Sequence, residues 1–597
     1  MPLFTQWIAE EANEASRIKS ELPIMVVLGN PPYSGISMNT NDWIDGLMED
    51  YKVTVRDEER QIQRLSNDYV KFIRFAQWRL QETGQGVLAF ITDRGYLDGL
   101  LFRDMRNSLL NSFSEIYIFD LHGVAVRGKS RASDQNVFDI SQGVAISIFI
   151  KKTKQNGPAE IKYAEVFGSR ETKYRVLASS EIATTTWQKV TPRTPHWHFV
   201  PTSADVSYES LLSLLDVIGT GIPKADRDKR YGTGIKTRHD DFVVGWSPDD
   251  AVGKVRRIAH RSEPDSELID QLGLCTTKHF DIRAARKRAE QSDLVQYVRP
   301  IAFRPFDSRY IVYLREFICE PKAETMRHLL RSDNMAMAIL RRDRKELGTG
   351  YFVVRGLIAK DFVSNIDDAL IWPLYLDSAS PNRQKSLAYS DTAVRQPNLA
   401  SAFVDELVEK LAMAFRKDEK GDLIKTFGPE DIFDYMYAVF HSPTYRSRYA
   451  EFLKIDFPRL PLTSNAELFR KLCALGSELV ALHLMEKNAP TITTYPVVGA
   501  NEVEKVRYTA PGEAGAEVGR VWINREQYFE GVPPELWNFH VGGYQVLQKW
   551  LKDRKSHKLT YDDLTHYQHV VSALNETIRL MTEIDAVIEK HGGWPIT

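Results

Sequence analysis

Asn30-Pro31-Pro32-Tyr33 is the stretch whose residue types and spacing could handle an amine on a planar base. The exocyclic amine of adenine is a poor nucleophile because its lone pair is delocalised into the ring. The Asn30 side-chain oxygen and the Pro31 carbonyl can each accept one of its N–H groups. The two prolines stiffen the turn, and Tyr33 offers a face on which a flipped base can stack. That is the chemistry of direct methyl transfer to adenine N6, with no covalent enzyme intermediate. The plain alternative is a rigid turn that closes a strand.

Catalytic groups in open α/β sheets sit at the carboxyl ends of strands, so the corner needs a strand before it. Ile24 to Leu28 supplies a short apolar run of the kind buried in a parallel sheet. Leu65, Val70, Ile73, Ala76 and Leu80 recur at helical spacing between Gln61 and Glu82, and Gly84 and Gly86 then end that helix. Val87 to Thr92 reads as a strand, Leu97 to Phe113 as a helix and Glu115 to Asp120 as a further strand. Gly143 to Ile150 reads as a buried strand beside it, and Ile161 to Val166 as a short closing one. The series fits the second half of a doubly wound, Rossmann-like sheet with an antiparallel strand at its edge. Asp93 and Arg94, just after one of these strands, either face the same cleft or form surface salt bridges.

Several segments add a resemblance. Asp120-Leu121-His122-Gly123, then Asp134 to Ile140 and Gln142 to Ile146, are similar to the single-polypeptide type I (type ISP) restriction-modification enzymes. So are Phe303-Arg304-Pro305-Phe306-Asp307-Ser308-Arg309-Tyr310, the segment Glu430 to Tyr445, and Trp537-Asn538-Phe539 with Gly542-Gly543-Tyr544. The resemblance runs along nearly the whole chain. It implies a phage-defence enzyme in which a nuclease and a helicase precede a γ-class N6-adenine methyltransferase, with a target-recognition domain last. On it, Asn30, Pro31, Pro32 and Tyr33 are the catalytic residues. Phe138, before the last strand, is a candidate second wall of the base pocket, with core packing as its plainer role.

The departure from that pattern concerns the cofactor. A Gly-rich turn for S-adenosylmethionine and an acidic residue for its ribose belong before the Asn-Pro-Pro-Tyr corner in this order. The 29 residues ahead of Asn30 hold one helix-like stretch, Leu3 to Ile18, and the strand itself. The binding motif for S-adenosylmethionine is therefore absent, and the isolated chain is expected to be inactive without a cofactor lobe supplied in cis or in trans. Asp216-Val217-Ile218-Gly219-Thr220-Gly221 imitates such a turn. A similar loop recurs at Gly232-Thr233-Gly234, however, and Pro223 with the charged run Asp226 to Arg230 favours turns.

A net charge of −2 over 597 residues argues against a globally basic nucleic-acid binder, so any surface for double-stranded DNA is a local patch. Candidates are Lys254, Arg256 and Arg257 with Arg261; Arg286, Lys287 and Arg288; Arg341 and Arg342 with Arg344 and Lys345; and Lys552 to Lys558. Each could equally be a solvated helix face. Cys275, Cys319 and Cys473 form no Cys-x-x-Cys pair, which disfavours structural zinc or a disulfide framework and fits a reducing cytoplasm. His196-Trp197-His198 puts two imidazoles on one face of an extended segment but has no further ligand nearby in sequence, so no metal is expected. No apolar run of membrane-spanning length occurs, and Glu10, Glu11 and Glu14 do not suit a targeting peptide. No Gly-x-x-x-x-Gly-Lys-Ser/Thr is present, and a nuclease pattern from Asp307 with Glu320-Pro321-Lys322 places proline where a strand is wanted.

The expected organisation is a partial methyltransferase domain over 1–168, a connector over 169–205, an α+β target-recognition region over 206–397, and a helix-rich carboxy-terminal part over 398–597. Strands are expected at Phe303 to Leu314, Met335 to Leu340, Tyr351 to Val354 and, at a sheet edge, Ile371 to Leu376. Helices are expected at Asn398 to Phe415, Pro429 to Phe440, Thr444 to Lys454, Ala466 to Lys487 and Tyr561 to Lys590. Two functions stay open: the base-holding and recognition portion of an adenine-N6 methyltransferase, or a specificity module that finds a DNA sequence and performs no chemistry.

Overall fold

The structure, a computed structural model, describes residues 3–33, 37–59, 62–123, 134–154, 157–201, 208, 210–219, 232–259, 264–275, 279–331, 333–342, 350–366, 369–377 and 395–596. Thr220, Gly221, Pro223, the run Asp226 to Arg230, Arg261, Arg344 and Lys345 lie outside these residues. The chain divides into two units, Met1–Ser203 and Ala204–Thr597.

The first unit is built on one mixed sheet. After helix α1 (Leu3–Glu21) come β1 (Val26–Gly29), α2 (Asp68–Thr83), β2 (Gly86–Asp93), α3 (Arg103–Ser112), β3 (Glu115–Asp120), β4 (Val144–Lys151), β5 (Glu160–Glu165), α4 (Arg170–Ser179) and β6 (Gln188–Val190). The strand order is β1-β2-β4-β3-β5-β6. β1 runs parallel to β2 and β3 parallel to β5, while β4 is antiparallel to both β2 and β3. The strand read as buried beside β3 is indeed an interior one. Both its flanks are bonded, which is why its sequence is apolar almost throughout. The antiparallel edge is β6, paired with β5.

Local chemistry explains the boundaries. α2 starts later than its periodicity suggested, because Asn67 caps it by accepting from the Tyr69 amide, and it ends at Gly84 with φ +82°. Arg94–Tyr96 and Leu100–Phe102 form tight 3-10 turns, and only Arg103 onward is α-helical. Leu88, Phe90, Ile116, Ile118, Ala145 and Phe149 carry the core between sheet and helices.

The second unit joins several small sheets and a helical layer in one core. A four-stranded sheet is formed by β7 (Val244–Gly245), β8 (Val298–Arg304), β9 (Asp307–Val312) and β12 (Leu357–Ile358), in the order β12-β8-β9-β7. Helices α5 (Pro248–Arg256) and α6 (Ile282–Gln291) precede β8. A three-stranded sheet has β10 (Met335–Leu340) between β11 (Tyr351–Arg355) and β13 (Ala369–Pro373), so Pro373 does lie on an edge strand. The single strand expected over Phe303 to Leu314 is a hairpin arm and its turn. Pro305 supplies no amide hydrogen and Phe306 sits at φ +61°, so the chain reverses between β8 and β9.

Helices α7 (Ser401–Leu411), α8 (Pro429–His441), α9 (Ala466–His483), α10 (Val546–Lys552) and α11 (Tyr561–Lys590) follow. The last matches its sequence expectation at both ends: Thr560 and Asp563 form a capping box at its start. Among the described residues no helix is long and apolar enough to cross a membrane.

Candidate functional site

At the end of β1 the chain turns through Asn30, which is exposed, and Pro31, which is buried. The half-buried Tyr33 hydroxyl lies 2.7 Å from Asn30 Oδ1 and 3.2 Å from the Ile91 carbonyl of β2. With one proton it donates to either, so the tyrosine ties the asparagine to the neighbouring strand. Burial, helped by the Asp93 charge, pushes the Tyr33 phenol up to about 12 and keeps it a neutral donor. Asn30 is not enclosed by backbone, and its amide oxygen keeps a second lone pair for an incoming N–H.

Across the corner stands Phe138, its ring centroid 6.5 Å from that of Tyr33 and tilted by 40°. A planar base stacked between two rings needs about 7 Å, twice the optimal carbon–carbon separation. Sequence reading named Phe138 but missed what holds it. Asn136 Nδ2 donates to the carbonyls of Gly123 at 3.0 Å, Gln142 at 2.6 Å and Ile140 at 3.3 Å, and its Oδ1 accepts from the Phe138 amide at 2.9 Å. A side chain on Gly123, at φ +83°, would come within 2.5 Å of Asn136 Cα. Lys173 on α4, fully buried, donates to Leu121 O and Gln135 O and pairs with Asp134 at 2.8 Å. The one sequence signal was a turn of Asp, Gly and Asn residues on either side of a strand end.

Asp93 and Arg94 part company. Burial raises the Asp93 carboxyl, and its Oδ1 accepts from the Gly95 amide at 2.7 Å. Arg94 instead forms ion pairs with the buried Asp120 at 2.9 Å and with Asp98 at 3.1 Å.

In the second unit the cationic candidates fall in four places, one of them the Lys552 to Lys558 segment running on from the end of α10. Lys254 on α5 donates to Val244 O at 2.8 Å and pairs with Asp250 at 3.2 Å, while Arg256 and Arg257 are exposed. On α6, Arg286 pairs with Asp265 at 2.9 Å, Arg288 bonds the Tyr297 hydroxyl at 3.0 Å, and Lys287 is exposed. After β10, Arg341 pairs with Asp456 at 2.8 Å and Arg342 is half-buried.

Sequence reading missed a cluster around Asp307. This carboxylate, 1 % exposed, pairs with Arg554 at 2.8 Å and Arg309 at 3.0 Å, which hold it below the ordinary carboxylate range. The Trp246 ring lies under both guanidiniums, at 4.0 Å from Arg309 and 4.7 Å from Arg554, and stacks on His557. Glu320, the partner in the forced nuclease pattern, is occupied by Lys322 at 2.7 Å, with Lys236 and Arg238 nearby, and is pushed down to about 2.

The His196 and His198 rings lie 5.4 Å apart, and burial with the Arg106 charge lowers His198 to about 2. No group of three or more potential metal ligands occurs among the described residues.

The described glycines of the two loops, Gly219, Gly232 and Gly234, are closely packed. A Cβ on Gly232 would overlap Thr325 Oγ1 at 1.7 Å, one on Gly234 would meet the Ala359 carbonyl at 2.4 Å, and one on Gly219 would touch Asn398 and Leu399 at 3.1 Å. These glycines serve close packing of backbone on neighbouring elements, and Thr220 and Gly221 of the first loop lie outside the described residues.

Fold and site together define a mixed α/β protein with an aromatic-walled corner in one unit and an arginine-rich cleft in the other. Residues 229–583 match the model of the Type ISP C-terminal specificity domain, and the chain belongs to that family. Solved structures of similar fold include the ATP-dependent Type ISP restriction-modification enzyme LlaBIII bound to DNA, at TM-score 0.64, 20% identity, 98% of this chain and 39% of that one. The DrdV–DNA complex gives 0.63, 20% identity, 96% of this chain and 58% of that one. A nuclease-deletion mutant of the Type ISP enzyme LlaGI with a DNA substrate mimic gives 0.60, 19% identity, 97% and 45%. The chain thus spans between 39% and 58% of the length of these enzymes. No curated protein sequence matches.

Proposed function

We propose that this chain is the target-recognition and base-holding portion of a restriction-modification enzyme of the type ISP kind, acting in phage defence on double-stranded DNA. Its first unit grips a flipped adenine for N6 methylation. The observation that carries this is the exposed Asn30 amide beside two aromatic rings 6.5 Å apart. The Asn30 oxygen and the Pro31 carbonyl each accept a hydrogen bond from one amine N–H, which draws the nitrogen towards a tetrahedral, more nucleophilic geometry. Tyr33 and Phe138 stack on the two faces of the base, and the loop clasped by Asn136 and Lys173 holds the second ring in place. The methyl donor, S-adenosylmethionine, is supplied by a lobe outside this chain, in cis or in trans with the helicase and nuclease portions. The sheet offers that lobe a seat: β1 is an edge strand whose Val26 and Leu28 are 57% and 74% exposed.

A second reading, a specificity module without chemistry, is favoured by the packing role of the glycine loops. The test is transfer of radiolabelled methyl groups to DNA by this chain with and without the upstream lobe. We expect transfer only with it, and Asn30→Ala in the complemented enzyme to abolish transfer while DNA binding persists. Transfer that survives Asn30→Ala would overturn the base-holding role.

A further inference from the structure

The base-holding corner makes no use of a cleft of about 740 Å³ in the second unit, between the β8–β9 hairpin, α5 and the segment after α10. Its cations are Arg238, Lys254, Arg304, Arg309, Lys555 and His557, the last when protonated; its carboxylates are Asp240, Asp241 and Asp553. Much of this charge is already committed. Arg309 is held by Asp307, Arg238 lies 3.5 Å from Glu320, Lys254 pairs with Asp250, and Asp553 pairs with Lys549.

Two cations are different. Arg304 spends Nη1 on the carbonyl of its neighbour Phe303, at 2.6 Å, and its guanidinium lies over the rings of Phe303 and Tyr544. Its Nε is buried with no hydrogen-bond partner. Lys555 is exposed and makes no ion pair among the described residues. A buried donor without an acceptor is costly, and structures rarely keep one unless something else fills it.

The walls behind these two residues are rigid. Trp246 is sandwiched between Arg309, Arg554 and His557, and Arg554 closes over Trp550 at 3.4 Å. Arginine and lysine only donate, so the missing partner is an acceptor. Base-edge acceptors and phosphate oxygens both meet that need, and two cations on one cleft favour the charged oxygen.

We propose that this cleft seats a phosphodiester of the DNA backbone, with Arg304 and Lys555 as its donors and the Asp307–Arg309–Arg554–Trp246 cluster as the frame that positions Arg304. The assignment rests on the DNA-recognition reading above. It gives the Arg-Pro-Phe-Asp turn a role: Asp307, opposite Arg304 across the hairpin, holds the turn that places Arg304 in the lining of the cleft. The seat fixes the register of the domain on the duplex and carries no sequence information itself.

The test measures affinity of the full chain for a set of short synthetic duplexes of unrelated sequence as a function of salt, for the unsubstituted chain, Arg304→Gln and Lys555→Ala. Each substitution is expected to weaken binding to every duplex alike, by about fivefold near physiological salt, and to reduce the slope of log affinity against log salt by about 1. Urea unfolding midpoints report whether the variants are folded, and Lys555→Ala, at an exposed side chain, keeps the test open should Arg304→Gln fail to fold. Unchanged affinity and slope in folded variants overturn the phosphate seat and leave DNA recognition standing. A loss confined to duplexes that share one base pair also overturns it, because that marks a base contact. Failure of the unsubstituted chain to bind any duplex overturns the DNA-recognition reading and this seat together.

Discussion

Asn30 and Asp307 are both polar residues in motifs legible from sequence, yet the structure uses them in opposite ways. Asn30 is exposed with acceptor capacity to spare, as a ligand-holding group must be. Asp307 is buried with its charge consumed by two arginines. Sequence reading offered Asn30 as chemistry and set aside a nuclease role for Asp307, but a carboxylate's spacing does not reveal how many cations fold onto it. Asp307→Asn leaves two guanidiniums without their counter-charge, and should cost about 3–5 kcal/mol of stability by urea unfolding. On the other unit, Phe138→Ala removes one face of the proposed base pocket. In the complemented enzyme it should lower kcat/KM by about 5- to 150-fold while Phe138→Tyr stays near the parent, because stacking on one aromatic contributes about 1–3 kcal/mol. Equal activity in Phe138→Ala would return that ring to plain core packing.

Among the elements, helices were the most legible and turns the least. α8, α9 and α11 carry sustained apolar faces, and a periodic stripe is a property of the chain itself. What periodicity could not give is how closely such helices approach. Gly476 lies in the middle of α9, where glycine weakens a helix. A Cβ there would sit 1.9 Å from the Asp434 carbonyl of α8, so the glycine is the contact point of the two helices. Gly476→Ala should therefore destabilise by about 1–3 kcal/mol despite its better helix propensity. The Ser442-Pro443 step ends α8 and meets α11, where Asp585 accepts from the Ser442 hydroxyl and from the Thr444 amide and hydroxyl at 2.9 and 2.7 Å. The hairpin at Pro305-Phe306 was misread as one strand because its turn borrows a positive φ from a phenylalanine, a position normally signalled by glycine or asparagine.

At the scale of the molecule, the second unit buries ionisable groups inside a continuous core. His483 on α9 accepts from the Tyr437 hydroxyl at Nδ1, donates from Nε2 to Thr577 Oγ1 at 2.9 Å, and stacks on Phe352. Burial lowers it to about 3. Its folded value lies below its free value of about 6.5, so its contribution is complete above pH 6.5 or so and is lost as pH falls toward 3. Asp434, pushed up to about 7 by burial, has the opposite sign. Comparison with His483→Gln isolates the histidine: below about pH 6.5 the parent should lose up to about 1.4 kcal/mol more per pH unit than the variant. The first unit presents the apolar β1 edge proposed as the seat of the upstream lobe, and Leu28→Lys should weaken co-sedimentation of the chain with that lobe. By itself the sequence determined which residues make up the Asn30 to Tyr33 corner, the α/β alternation of the first unit and the long helices of the second, because motif composition and apolar period are local properties. Only the tertiary structure decided that β4 runs inside the sheet, that Phe138 faces Tyr33, and that Arg304 is left with a free donor beside a carboxylate already spent. Those outcomes depend on which distant residues arrive at the same place, and strand pairing and charge compensation between residues as far apart as Asp307 and Arg554 leave no periodic trace in the chain.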